Sequence, residues 1–142
     1  MTFLLDVNVL IALVDTDHVS HQAAHDWFGR EGRRSWATCP LTENGLGRSV
    51  SHPKYQDGGA SPAQVLRVLT RLTALDGHER WPDDVSLTDP GLFVAERLLT
   101  PAQITDTYLL GLAVRHGGRL ATLDRRLSPL AVVGGVAALL II

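Results

Sequence analysis

Apolar residues arrive along this chain in short runs, each ended by a polar residue, and the period of the pattern switches back and forth between strand and helix. Thr2 to Leu5 is an apolar run closed by Asp6, and VNVLIALV follows at once, which predicts a buried strand turning directly into a helix. From His18 to about Glu31, Ala23, Ala24, Trp27 and Phe28 fall at helical spacing. Ser35 to Cys39 is β-prone and stops at Pro40, and a helix is expected from near Thr42. Residues Ser51 to Ala60 collect His, Pro, Lys, Tyr, Gln, Asp and two glycines and predict an exposed loop. Ser61-Pro62-Ala63-Gln64 then restarts order with a capping box that carries proline at the first helical position.

The same device recurs in Thr100-Pro101-Ala102-Gln103 and opens a helix that runs to His116 and stops at Gly117-Gly118. Between the two boxes lie a short stretch around Arg80 and Trp81 and a helix expected from Asp89-Pro90 through Phe93, Val94 and Leu98. RLATL is a strand ending at Asp124, and VAALLII is a final strand. Strands alternating with helices predict an α/β fold of three layers, α/β/α, around a mainly parallel sheet.

Composition narrows the picture. At 142 residues the chain suits one domain spanning 1–142, and 45% hydrophobic against 20% charged residues supplies a real core. Cys39 is the single cysteine, so no internal disulfide forms; no leader pattern opens the chain, and a reducing cytoplasm is the expected compartment. No apolar run approaches the roughly 20 residues of a membrane span. A net charge of −2 argues against a broad basic face that coats nucleic acid, although 12 of the 13 basic residues are arginine, whose fork suits phosphate.

The acidic residues carry the candidate chemistry. In an open parallel sheet, ligands bind beyond the carboxyl ends of the strands. Asp6 and Asp124 each end a strand, and Glu43 follows the strand that closes at Cys39. Asp106 stands in a helix that carries Ile104, Tyr108, Leu109, Leu110, Leu112, Ala113 and Val114, apolar nearly all round, which predicts a buried carboxylate in need of a cation. Each acid has an ordinary reading as well: Asp6 and Asp124 as caps or turn formers, Glu43 as a partner of the helix dipole, Asp106 as the ion-pair partner of Arg115 or Arg119. Taken together, four acids at one sheet edge predict one or two hard divalent ions, Mg²⁺ or Mn²⁺, of the kind that activates water against a phosphodiester.

LLDVNVLIAL (Leu4 to Leu13), LTENGL (Leu41 to Leu46), ITDTYLLGLAV (Ile104 to Val114) and LATLDRRL (Leu120 to Leu127), in that order over nearly the whole chain, resemble the PIN-domain ribonucleases, specifically the VapC-type toxins of bacterial toxin–antitoxin pairs. The resemblance implies an endoribonuclease dependent on Mg²⁺ or Mn²⁺, with RNA as substrate and Asp6, Glu43, Asp106 and Asp124 as the acidic metal-holding positions. It also implies a homodimer and a VapB-like antitoxin that blocks the acidic pocket and provides the only link to DNA. One departure is visible: Asn8 stands where relatives often carry Ser or Thr, in a position to orient a carboxylate or a metal-bound water, and Thr122 is a similar candidate or an ordinary strand residue. The alternative is a module that keeps the fold and binds RNA or protein without chemistry. An aspartyl-phosphate phosphatase is disfavoured, because it requires a second Asp where this chain has Asn8.

Three further groups have two readings each. His21 and His25, with His18 nearby, have the spacing of a zinc pair, but no third ligand follows and a solvated helix face is the better account. Arg125 and Arg126, and Arg48 with Lys54, either grip RNA phosphate or are solvated and partner-facing charges. Trp27, Trp36 and Trp81 are candidates for stacking on unpaired bases or for core packing, with Trp81 the more available for bases.

Overall fold

The computed structural model describes the backbone of residues 1–142 and every side chain except that of Asp57. Five strands form one parallel sheet in the order β3-β2-β1-β4-β5, with β1 Phe3–Leu5, β2 Trp36–Thr38, β3 His78–Arg80, β4 Arg119–Thr122 and β5 Leu139–Ile141. Central β1 sets Leu4 opposite Ala37 on one side and Leu120 on the other. Both faces are covered, which is why the central β1 reads as an unbroken apolar run. On one face α1 (Val7–Val14), α2 (His21–Arg30), α3 (Pro40–Val50) and α4 (Pro62–Thr73) enclose Phe3, Leu5, Leu10, Trp36, Leu46 and Ala121. On the other, α5 (Ile104–Arg115) and the short α6 (Gly135–Ala138) cover Leu4, Ala37, Leu109, Leu112 and Leu120. The expected α/β/α architecture is therefore the observed one.

Local chemistry fixes the helix starts. Ser61 and Gln64 exchange the two hydrogen bonds of a capping box, Ser61 N to Gln64 Oε1 at 2.8 Å and Gln64 N to Ser61 Oγ at 3.2 Å. The second box spends its proline on one 3₁₀ turn, Pro101–Gln103, before α5 begins. Helix α3 starts at Pro40 rather than near Thr42, whose hydroxyl instead accepts from Cys39 N at 3.0 Å and so caps the end. Helix α2 starts at His21, later than His18.

The helix expected from Asp89 to Leu98 does not form. Asp89 Oδ1 accepts from Gly91 N, its carbonyl accepts from Leu92 and Phe93, and only a 3₁₀ turn at Ala95–Arg97 follows. The segment bonds to a distant stretch instead of to itself: Val94 N donates to Ala131 O, Val133 N donates to Leu92 O, and Phe93 pairs with Val132. The expected final strand is likewise shorter, since Gly134 at φ +78° turns the chain into α6 before β5 begins. Among the described residues no helix is long and apolar enough to cross a membrane.

The three tryptophans are all buried, Trp81 included at 5% exposure. Trp27 and Trp36 meet Phe3 and Phe28 edge-on, and Trp81 lies flat on the His116 ring with centroids 4.5 Å apart. None is available to stack on a base, Trp81 no more than the others.

Candidate active site at the carboxyl edge of the sheet

Parallel pairing of β1 with both β2 and β4 brings the residues that follow these strands to one edge. Asp6 leaves β1 there and caps α1, its Oδ1 accepting from Val7 N at 2.7 Å. Its Oδ2 accepts from Thr122 Oγ1 at 2.7 Å and from Asn8 Nδ2 at 3.3 Å. Thr122 Oγ1 in turn accepts from Asn8 Nδ2 and from Asp124 N, each at 3.1 Å, while Asn8 Oδ1 accepts from Leu123 N at 3.0 Å. Asn8 and Thr122 thus lock the exit of β1 to the exit of β4 and fix the Asp6 carboxylate. Asp6 is only 5% exposed. Burial raises its pKa and the neighbouring Asp124 adds to the rise, against the hydrogen bonds from Thr122, Val7 and Asn8 that favour the charged form.

Asp106 lies in the first turn of α5 and is half-buried, because that turn is more open than the apolar sequence of the helix predicts: Ile104 is 42% exposed. Burial, then the negative charges of Asp6 and Asp124, push its pKa up to about 6. Asp106 and Asp124 line a cleft of about 340 Å³ together with Gln103, Thr107, Arg126 and Ser128. Among the described residues none of these three aspartates has an ion-pair partner. The partners considered for Asp106 are engaged elsewhere: Arg115 pairs with Asp89 at 2.8 Å, and Arg119 donates to Leu139 O at 3.1 Å.

Glu43 reaches the same edge from the first turn of α3 but has different company. Its Oε1 accepts from Thr38 Oγ1 at 2.7 Å and from Arg80 Nε at 3.0 Å. It lines a separate cleft of about 350 Å³ with Asn44, Arg48 and Ser51, and it is absent from the charges that act on Asp6 and Asp106. The fold therefore brings Asp6, Asp106 and Asp124 into mutual electrostatic contact and sets Glu43 beside an arginine.

Carboxylate oxygens with no neutralising cation are the donor set that a hard divalent ion prefers. Among the described residues no three His, Cys, Asp or Glu side chains form a ready cage for a metal ion. Mg²⁺ does not require one, since it keeps several waters and takes one or two carboxylates. The donor chemistry of the three aspartates fits such an ion.

The arginines divide. Arg126 borders the Asp106–Asp124 cleft, Arg125 is exposed beside it, and Arg48 lines the Glu43 cleft and, with His52 and Lys54, a further one. The histidines fit a helix face: His21 Nδ1 donates to Ala12 O at 2.7 Å, His18 Nδ1 accepts from Ser20 N, and His25 is exposed. Sequence reading passed over Thr38, His78 and Arg80. The signal available was the alternation of His78 and Arg80 two residues apart, which in a strand beside β2 places both on one face.

Residues 3–133 match the family model described as the PIN domain. Ribonuclease VapC44 of Mycobacterium tuberculosis is 44% identical over 134 residues, covering 94% of each chain, and Ribonuclease VapC39 of the same organism is 42% identical over 139 residues, covering 98% of this chain and all of the relative. Ribonuclease VapC29 is 43% identical over 141 residues, covering 99% and 97%. A crystal structure of VapBC2 from Rickettsia felis bound to a promoter DNA fragment contains a similar fold, with a TM-score of 0.58, 14% identity, and coverage of 89% of this chain and 90% of that one. A parallel sheet that delivers aspartates to one edge, matched in sequence from end to end by VapC ribonucleases, makes this chain a member of the PIN-domain family.

Proposed function

We propose that the protein is an endoribonuclease, the toxin of a type II toxin–antitoxin pair, that hydrolyses RNA phosphodiester bonds with Mg²⁺ or Mn²⁺. The observation that carries the reading is the gathering of Asp106, Asp6 and Asp124 at one sheet edge, three neighbouring carboxylates with no basic partner among the described residues. Protein stability is poorly served by such crowding, and cation binding relieves it. Asp6, Asp106 and Asp124 would hold the ion, and Glu43 would join them from α3. When bound, a divalent ion of this kind makes water a nucleophile near neutral pH and offsets charge on a reacting phosphate.

The chain's own groups do the positioning. Asn8 and Thr122 keep the Asp6 carboxylate in one orientation through the bonds described above. Arg126, at the rim of the cleft, and Arg125 beside it offer guanidinium forks to the RNA backbone, and Arg48 offers another from the Glu43 cleft. The likeness to proteins named VapC and to the VapBC2 structure bound to promoter DNA supports a VapB-like antitoxin as partner; the proposal adds a homodimer as the assembly and contact with DNA only through that antitoxin. A module that binds without chemistry is favoured by one observation, the pairing of Glu43 with Arg80. RNA cleavage measured with Mg²⁺, Mn²⁺ or EDTA separates the two: metal-dependent cleavage that Asp6→Asn lowers at least a hundredfold is expected, and cleavage that ignores EDTA or Asp6→Asn contradicts the mechanism.

A further inference from the structure

We infer that Thr38, His78 and Arg80 form a positioning clamp that grips Glu43 by one carboxylate oxygen and leaves the other free for the cation site. The inference rests on the function proposed above and deepens it. Its basis is the direction of the hydrogen bonds. Thr38 Oγ1 lies 2.7 Å from Glu43 Oε1 and 2.8 Å from His78 Nε2. A hydroxyl has one proton, and a carboxylate oxygen takes it. Thr38 must therefore accept from the imidazole, which fixes His78 with its proton on Nε2. Arg80 Nε adds a second bond to the same Oε1 at 3.0 Å, and no hydrogen bond among the described residues engages Oε2.

Strand register builds the clamp. Thr38 stands opposite Arg80 and Trp36 opposite His78 in the parallel β2–β3 pair, so one edge strand supplies two basic side chains to the same face. Thr38 is fully buried, and the His78 ring rests on Trp36 with centroids 4.5 Å apart. Arg80, with 60% of its side chain exposed, closes the outer side. The side chain of Glu43, 18% exposed, is thus bonded to the β2–β3 pair through Oε1. Groups that orient a metal-holding carboxylate in this way affect ion affinity or activity by about 10- to 100-fold when removed.

The test uses Thr38→Val, which keeps the shape and deletes the hydroxyl, Thr38→Ser, which restores it, and His78→Phe, which keeps the ring on Trp36. Mn²⁺ binding is measured by calorimetry alongside RNA cleavage, and the His78 tautomer by ¹⁵N chemical shifts. The wild type is expected to show a pyrrole-like Nε2; Thr38→Val and His78→Phe should each bind Mn²⁺ about tenfold more weakly, with Thr38→Ser close to wild type. A His78 proton on Nδ1, or Thr38→Val and His78→Phe binding Mn²⁺ as the wild type does, overturns the clamp alone. Wild-type protein that neither binds Mn²⁺ nor cuts RNA overturns the proposed function and the clamp with it. Should Thr38→Val fail to fold, His78→Phe and the tautomer decide.

Discussion

A carboxylate in the first turn of a helix is ordinarily stabilised by the amides and dipole there, yet Asp106 titrates near 6 because burial and two like charges outweigh that help. The consequence for stability has a definite sign. The folded chain holds the Asp106 proton up to about pH 6, while the unfolded chain releases it near 3.8, so the contribution is fully present below the unfolded value and is lost as pH rises through 6. Without divalent ions, Asp106→Asn is expected to melt above the wild type at pH 7, with the difference shrinking toward pH 4; a thermal scan across this range checks it. Asp6, whose pKa is also raised, leaves a residual slope of the same sign in the variant. At this scale Asp6, Asp106 and Asp124 were legible because each is an acid beside an apolar run. The partnership of Glu43 with Arg80, and with His78 through Thr38, was not, because it depends on the β2–β3 register, and β3 is three residues long with no apolar signature.

Among elements, the segment from Asp89 to Leu98 shows where periodicity fails. Phe93, Val94 and Leu98 have the spacing of a helix face, but their partners lie elsewhere: Phe93 is buried against α5, and the backbone of 92–94 is bonded to 131–133. A tertiary ladder thus took the hydrogen bonds that a helix would have used, and no local pattern announces that competition. The same contact predicts the behaviour of Gly111. A Cβ built there would lie 2.2 Å from Phe93 Cζ and 2.4 Å from Cε1. Alanine in a helix interior gains about 0.5–1 kcal/mol over glycine, and overpacking a closed core costs about 1–3 kcal/mol. The clash wins: Gly111→Ala should lower stability by about 1–2 kcal/mol in urea unfolding, and an unchanged or raised midpoint would show that the 89–98 segment yields freely. By contrast, β1, β2, β4, α1, α4 and α5 were readable from apolar runs, proline-bearing caps and the Gly117-Gly118 stop, since each bonds mainly within itself or to a central strand.

At the scale of the whole molecule, alternation of strand and helix sufficed for the layered fold, whereas the strand order, with β1 central and β3 and β5 at the edges, is a property of the assembled sheet. That order has a functional consequence. It sets the ends of β1 and β4 side by side, so that residues 118 positions apart in sequence, Asp6 and Asp124, repel each other across a network closed by Asn8 and Thr122. The central claim is that this crowding is a place for a cation. Calorimetric melting with Mn²⁺ at about 100 times its dissociation constant tests it most directly, since a ligand that binds only the folded form then adds roughly 2.7 kcal/mol, or about 10 °C for a chain of this size. The account predicts that full rise for the wild type and a clearly smaller one for Asp106→Asn at the same Mn²⁺ concentration; equal rises in both, or none in either, would contradict it.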